Sequence, residues 1–161
     1  MPSSVAALGG MAQSEALSAA WVAPAGFNRG GLGNLGGSAG PVVTQARMRL
    51  DSDERDELYE LHINPIATFP NEGVVIFGQK TLQAVGVNSA LSRINVRRLL
   101  LFLKEKISHV ARNILFDNNV SSTWARFISQ ATPILDDVKA RFGLTDYKLV
   151  LDETTTTATL V

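Results

Sequence analysis

The sequence predicts an α/β fold of the α+β kind, a small mixed β-sheet backed by two long helices, and three observations predict it. Val96, Leu99, Leu100, Leu103, Ile107, Val110, Ala111 and Ile114 recur at helical spacing, with Arg97, Lys104, Glu105 and Arg112 opposite. Trp124, Phe127, Ile128, Ala131, Leu135, Val138 and Phe142 repeat the pattern as the buried stripe of a second helix. Ahead of both, two short apolar runs at 66–69 and 74–77 flank Pro70-Asn71-Glu72-Gly73, which is turn chemistry, so they read as a β-hairpin.

The first 50 residues differ from the rest. Residues 2–41 are rich in Gly, Ala and Ser, and only Glu15 and Arg29 carry charge. Such a segment cannot build a core alone. We expect residues 1–50 to be a lead-in packed on a domain formed by 51–161. A helix then opens at Asp51 and Ser52, whose side chains offer oxygens to first-turn amides, with Asp53 and Glu54 favoured by the helix dipole. Leu58, Leu61 and His62 give it a narrow apolar stripe, and Asn64-Pro65 ends it. The continuous run Val74-Val75-Ile76-Phe77 predicts a strand covered on both faces, closed by Gly78.

Phe116-Asp117-Asn118-Asn119 separates the two long helices. Ser121 or Ser122 is the expected N-cap of the second, Pro133 is expected to kink it, and Gly143 suits the left-handed position after its end. A last strand is expected at 147–151, followed by Asp152-Glu153 and a β-branched tail ending on Leu160-Val161. An apolar close of this kind reads as a cut chain. The predicted sheet has too few strands to stand alone. Further strands are expected from a missing C-terminal part and from neighbouring copies.

Composition bounds the function. The 161 residues are 45% apolar and 19% charged, in the globular range, with 15 basic and 15 acidic side chains and a formal charge of zero. Neutrality argues against a nucleic-acid partner and permits packing against copies of the same chain. The absence of cysteine excludes disulfides, thiolate nucleophiles and cysteine-based zinc sites. The start of the chain lacks a basic and then apolar signal, and the run 99–103 is far too short to span a bilayer, so no membrane partner and a cytoplasmic origin are expected.

Chemistry was sought and mostly not found. Gly31-Leu32-Gly33-Asn34-Leu35-Gly36 spells a dinucleotide fingerprint, but its flanks predict neither the strand nor the helix needed to hold a pyrophosphate, so it reads as a loop. Gly78-Gln79-Lys80-Thr81 lacks the upstream glycine and the helix of a phosphate loop. His62 and His109 sit on separate elements without a second ligand at metal-binding spacing. Asp136-Asp137 and the acidic residues of 51–57 read as solvated helix faces. No catalytic residue, cofactor or metal site is predicted, and the chain is not expected to be an enzyme. Arg97-Arg98 opposes the dipole of its own helix, so at least one of the two is expected to meet a carboxylate or carbonyl from elsewhere.

Several blocks together resemble one family. Trp21-x-x-Pro24-Ala25-Gly26-Phe27-Asn28-Arg29-Gly30 is similar to a W-x-A/S-P-A-G-x-N-R-G stretch of contractile bacteriophage tail sheath proteins. The likeness continues through Asp56-Glu57-Leu58-Tyr59, Ile63-Asn64-Pro65-Ile66 and the run from Gly73 through Gly78 and Lys80 to Thr81. It is strongest at Arg93-Ile94-Asn95-Val96-Arg97-Arg98-Leu99, and then takes in Leu115-Phe116-x-x-Asn119, Trp124 and Asp152-Glu153-Thr154-Thr155. The threonine run departs from the family's usual step after that last turn. The resemblance implies the conserved C-terminal inner domain of a sheath subunit, a truncated piece lacking the C-terminal arm.

It also implies a structural subunit that polymerises as stacked hexameric rings around the tail tube, in a helical array, and contracts to drive the tube through the host envelope. Implied partners are other sheath subunits, the tail tube protein, the baseplate and the tail terminator. The implied location is the virion, after synthesis in the host cytoplasm. Arms from neighbouring subunits would add strands to the sheet. Arg97, Arg98, Thr154, Thr156 and Ala158 are candidate contacts between subunits. A sheath subunit of an R-type bacteriocin or another contractile injection system fits the same residues, and a nucleotide-binding enzyme using the glycine-rich loop is the remote alternative.

Overall fold

A computed structural model describes residues 2–33, 43–83, 89–152 and 155. In chain order it contains α1 (Ser3–Leu17), α2 (Ser52–Glu60), β1 (Ile66–Phe69), β2 (Gly73–Ile76), a 3-10 turn at Ala90–Ser92, α3 (Ile94–Arg112) and α4 (Ser121–Ala140). These form two compact units, Met1–Arg98 and Leu99–Val161. The mixed α/β class is as predicted, with four α-helices and a two-stranded antiparallel sheet among the described residues.

Within the first unit, α1 is the element that periodicity missed. Gly9 and Gly10 in its middle each disfavour a helix by about 1 kcal/mol relative to alanine, and Pro2 at its N-cap supplies no side-chain bond. Packing decides instead. Ala6, Gly10 and Ser14, one turn apart, form its buried seam. A side chain at Gly10 would bring its Cβ within 2.8 Å of Ile76 Cδ1, so the glycine allows the helix to lie close on the sheet.

α2 begins on the expected aspartate. Glu54 N donates to Asp51 Oδ1 at 2.9 Å and Asp51 N donates to Glu54 Oε2 at 3.0 Å, a complete capping box. Its apolar stripe does not form as predicted. Leu61 is exposed, and His62 lies past the helix end at φ 61°. There Ile63 N donates to Leu58 O at 2.9 Å and His62 N to Tyr59 O at 3.2 Å, the paired bonds of a Schellman close.

The hairpin pairs Ile66 with Ile76, Ala67 with Val75, Thr68 with Val74 and Phe69 with Gly73. Its turn places Asn71 and Gly73 at φ 66° and 74°, a region that asparagine and glycine enter most readily. The predicted coverage on both faces is observed for Val74, Val75 and Ile76, which are all buried, but not for Phe77, which is exposed. On one face Ala6, Leu32, Val74 and Ile76 form a core joined by Ala25, Val43, Ala46 and Ile66. On the other, Ala67 and Val75 lie at 0% and 1% exposure on the side of the pleat that also carries Phe69 and Phe77.

The glycine-rich stretch is more than a loop where it is described. Ile76 N donates to Gly30 O at 2.8 Å, Leu32 N donates to Val74 O at 2.7 Å, and Gly31 bridges Val75 antiparallel. Residues 30–32 thus pair with β2 on the side away from β1. The rest of the pattern, from Asn34 to Gly36, lies outside the described residues.

In the second unit, Val110, Phe127 and Ala131 form a core with Ile107, Ala111, Ile114, Ile134, Leu149 and Leu151 packed against it. The predicted stripes hold for most positions. Leu100 stays 44% exposed, however, and Phe142 is 95% exposed instead of buried. The N-cap of α4 is Val120, without a side-chain bond, and Ser121 and Ser122 are its first residues. α4 runs from Ser121 to Ala140 with Pro133 inside it.

The left-handed residue after α4 is Phe142, at φ 58°, and not Gly143. Gly143 N donates to Val138 O at 2.8 Å and Phe142 N to Lys139 O at 3.1 Å, so the Schellman close falls one residue earlier than glycine placement suggested. A phenylalanine there is strained and almost wholly solvated. Phe142→Gly is therefore expected to raise stability by about 1 kcal/mol, read as a higher urea midpoint at unchanged slope.

The predicted strand at 147–151 is not part of a sheet. Its burial alternates, with Tyr147, Leu149 and Leu151 partly covered and Lys148 and Val150 exposed. Yet among the described residues no backbone bond joins Lys148, Leu149, Val150 or Leu151 to another segment. A strand exists only with a partner, and periodicity reports the covered face without reporting whether a partner is present.

Candidate assembly surface

The blocks between Trp21 and Thr81 meet in the first unit through backbone and side-chain bonds. Gly26, at φ 82°, donates its N–H to Ile76 O at 2.9 Å, and Gly30 N donates to Gly26 O at 2.7 Å. A Cβ on Gly30 would come within 2.6 Å of Ile76 O and 2.9 Å of both Ala25 Cα and Gly26 N, all backbone atoms. Trp21 and Pro24 are buried beside this turn, while Asn28 and Arg29 are exposed at its tip.

A second set of bonds follows β2. Asn64 Oδ1 accepts from Lys80 N at 2.7 Å and Asn64 Nδ2 donates to Lys80 O at 2.9 Å, so one amide side chain pairs with a residue as a neighbouring strand would. Gly78 leaves room for it, since a Cβ there would lie 2.8 Å from Asn64 Oδ1. Pro65 is buried, and its carbonyl accepts from Phe77 N at 2.8 Å. Lys80 Nζ donates to Tyr59 O at 2.7 Å and sits 3.8 Å from the centroid of the Tyr59 ring. Thr81 Oγ1 donates to Leu91 O at 3.1 Å, and Thr81 O lies 2.8 Å from His62 Nδ1. Lys80 and His62 are thereby spent on local architecture.

Arg98 meets the expectation set for the arginine pair. Its Nη2 lies 2.6 Å from Glu15 Oε2 on α1, while Arg97 is exposed. Arg98 Nη1, Asn95 Oδ1, Gln79 Oε1 and Ser14 Oγ are buried without a hydrogen-bond partner among the described residues. In the second unit Trp124 Nε1 donates to Asn119 Oδ1 at 2.7 Å, and Arg126 pairs with Asp117, which fixes the loop between α3 and α4. That loop holds Phe116 at 96% exposure and Leu115 at 69%. Asp152 N donates to Thr155 Oγ1 at 3.0 Å and Thr155 N returns to Asp152 Oδ1 at 3.1 Å. Thr154, Thr156 and Ala158 lie outside the described residues.

One cluster escaped sequence reading. Phe27 meets Phe69 edge to face, and both rings lie tilted against Phe77, with centroids 4.9 to 5.6 Å apart; the Arg55 guanidinium lies 4.9 Å from the Phe69 centroid. The register that puts Phe69 and Phe77 on one face was implicit in the hairpin, but Phe27 and Arg55 come from distant segments. Titration is quiet by comparison. The hydrogen bond to Asp136 holds the Tyr147 hydroxyl above its ordinary range, and the Lys139 hydrogen bond holds Asp146 below the usual carboxylate value.

The open feature is the outer edge of β1. Phe77 N bonds to Pro65 O, whereas Ile76 and Val74 bond to the 30–32 segment. The antiparallel alternation therefore turns the N–H and C=O of Ile66 and Thr68 away from β2. Neither of these backbone groups meets a backbone partner among the described residues, although both residues are half-buried and Ala46 N donates to the Thr68 side chain at Oγ1, 3.3 Å away. Beside this edge is a cleft of about 710 Å³ of mixed character, lined by Ala6, Leu32, Leu58 and Ile66 and also by Ser3, Gln45 and Arg47.

Sequence comparison bears on what such an edge serves. The chain is 37% identical over 143 residues to the tail sheath protein of Vibrio phage KVP40, covering 89% of this chain and 20% of that protein. It is 33% identical over 150 residues to the tail sheath proteins of Enterobacteria phage T4 and Salmonella phage ViI, covering 93% of this chain and 21% and 22% of those proteins. The chain is a homologue of phage tail sheath proteins. It spans about a fifth of the length of these curated relatives. No family model matches it.

Solved structures share the fold of this sheath homologue. A chain of the anti-feeding prophage baseplate superposes with a TM-score of 0.76 at 21% identity, covering 96% of this chain and 41% of that one. A chain of the contracted sheath complex of the extracellular contractile injection system PVC superposes at 0.74 and 21% identity, covering 94% of this chain and 41% of that one.

Proposed function

We propose that this chain is a structural building block of a contractile tail sheath, assembled with copies of itself around a tail tube and carried in the phage particle. Homology to three phage tail sheath proteins supports the reading, and the edge of β1, whose outward backbone groups have no backbone partner among the described residues, carries it physically. An exposed strand edge invites another strand, and natural monomers cover or blunt it. Here a neighbouring copy would supply an extended arm, its backbone bonding to Ile66 and Thr68 and its alternate side chains entering the cleft. Arg97 and the rigid loop bearing Phe116 are further candidate contacts between subunits. Contraction would draw on the difference between two sets of such contacts, without a nucleotide. Lys80 fits this picture, since its ammonium is engaged by Tyr59. The fold shared with contractile injection particles supports a non-phage sheath as the second reading.

Thr68→Pro tests the edge. Proline is tolerated on an edge strand where its nitrogen faces outward, and the substitution also removes the bond from Ala46 N to Thr68 Oγ1, so Thr68→Val, which loses that bond and keeps the edge N–H, is the control; both chains are expected to keep their far-ultraviolet circular dichroism and a cooperative melt. Assemblies of the chain carrying Thr68→Pro are expected to lose striated tubes by negative-stain electron microscopy. Tubes of normal length and number from a folded Thr68→Pro protein would reject β1 as the acceptor.

A further inference from the structure

We infer that α1 is a releasable strap, latched onto the first unit by the Glu15–Arg98 pair and able to open while the hairpin beneath it stays folded. Four observations converge on it. Glu15 is the sole charged residue of α1, and its carboxylate, 55% exposed, meets an Arg98 side chain that is 17% exposed. The latch is therefore a single contact, reachable by water from one side. Around it the joint is poorly satisfied, because the Ser14 hydroxyl at 1% exposure and Arg98 Nη1 are both buried without hydrogen-bond partners among the described residues. Docking α1 strips these donors of water and returns nothing to them.

The helix also has little hold of its own. It lacks a side-chain N-cap bond, a first-turn acid and a last-turn base, and two glycines sit in its middle. Its buried seam is made of small side chains, while Val5, Leu8 and Leu17 face outward at 47%, 66% and 73% exposure. Helices in water owe most of their stability to a packed apolar face, and α1 directs its larger apolar groups away from the unit. Segments with few buried contacts open locally at a fraction of the global free energy. Opening would uncover Leu32, Val74 and Ile76, apolar surface beside the β1 edge. The inference stands apart from the sheath reading, because it concerns the isolated chain.

Amide hydrogen exchange of the 161-residue chain, followed by mass spectrometry, tests it. Residues 3–17 are expected to exchange at least about 100-fold faster than β2 under native conditions. Glu15→Gln is expected to speed α1 a further tenfold or so and leave β2 unchanged. The reversed pair, Glu15→Arg with Arg98→Glu, is expected to recover most of that loss, which a merely structural side chain at either position would not do. Wild-type α1 exchanging in step with β2, Glu15→Gln speeding both equally, or no recovery in the reversed pair would each overturn the strap.

Discussion

Gly30→Ala is expected to lower the stability of the first unit by about 3 kcal/mol, the upper part of the range for overpacking. Gly31→Ala, one position on, is expected to stay within about 0.5 kcal/mol of the parent. The contrast follows from what each new methyl group would meet. At Gly30 it would press on the carbonyl of Ile76, the Cα of Ala25 and the nitrogen of Gly26, none farther than 2.9 Å. All three are backbone, so relief requires moving the turn that carries the Gly26 and Gly30 bonds or the strand that accepts them. At Gly31 nothing lies within 4 Å. Neither glycine has a positive φ, so backbone freedom does not separate them and the difference is steric. Paired urea titrations of the two variants provide the check, and equal midpoints would show that the Gly26–Gly30 turn yields more easily than its contacts suggest.

Asn64→Ala is expected to cost about 2–3 kcal/mol, because it strands both the N–H and the carbonyl of Lys80 in a partly buried position. Lys80→Met, which keeps the backbone pairing and loses only the bond and ring contact to Tyr59, is expected to cost about 1 kcal/mol. Asn64→Asp separates the two halves of the amide's work. Its carboxylate still accepts from Lys80 N but turns a lone pair toward Lys80 O, so it is expected to be at least as damaging as alanine. Thermal and urea melts of the three variants give the order directly, and an aspartate variant as stable as the parent would mean that the donor half of the amide carries no weight.

The parts of this fold that were legible in the sequence are those where one local signal decides. The hairpin followed from two apolar runs around Asn71 and Gly73, and the start of α2 from Asp51 and Glu54. The paired arginines announced an external carboxylate by opposing their own helix, and Glu15 supplied it. The parts that were not legible depend on distant chain. α1 has no periodic stripe, because its inner face is a seam of small residues that only a closely approaching sheet rewards. Phe142 belonged to a helical repeat by spacing, yet the Schellman close put it in solvent. Residues 147–151 have the alternation of a strand and lack its partner. Of the assembly surface, the blocks around Gly30, Asn64 and Gly78 were visible as letters, but their shared purpose, knitting segments onto β2 and the strand before it, required coordinates. The Phe27–Arg55 cluster had no linear signature at all.

The two tryptophans divide evenly between the two units. Trp21 is 6% exposed in the first, and Trp124 is half-buried in the second with its indole nitrogen bound to Asn119. Each unit therefore contains its own intrinsic fluorophore, one buried and one half-buried. Whether the halves of this chain melt as one body or in sequence is written into its emission spectrum, and no dye or tag is needed to read it.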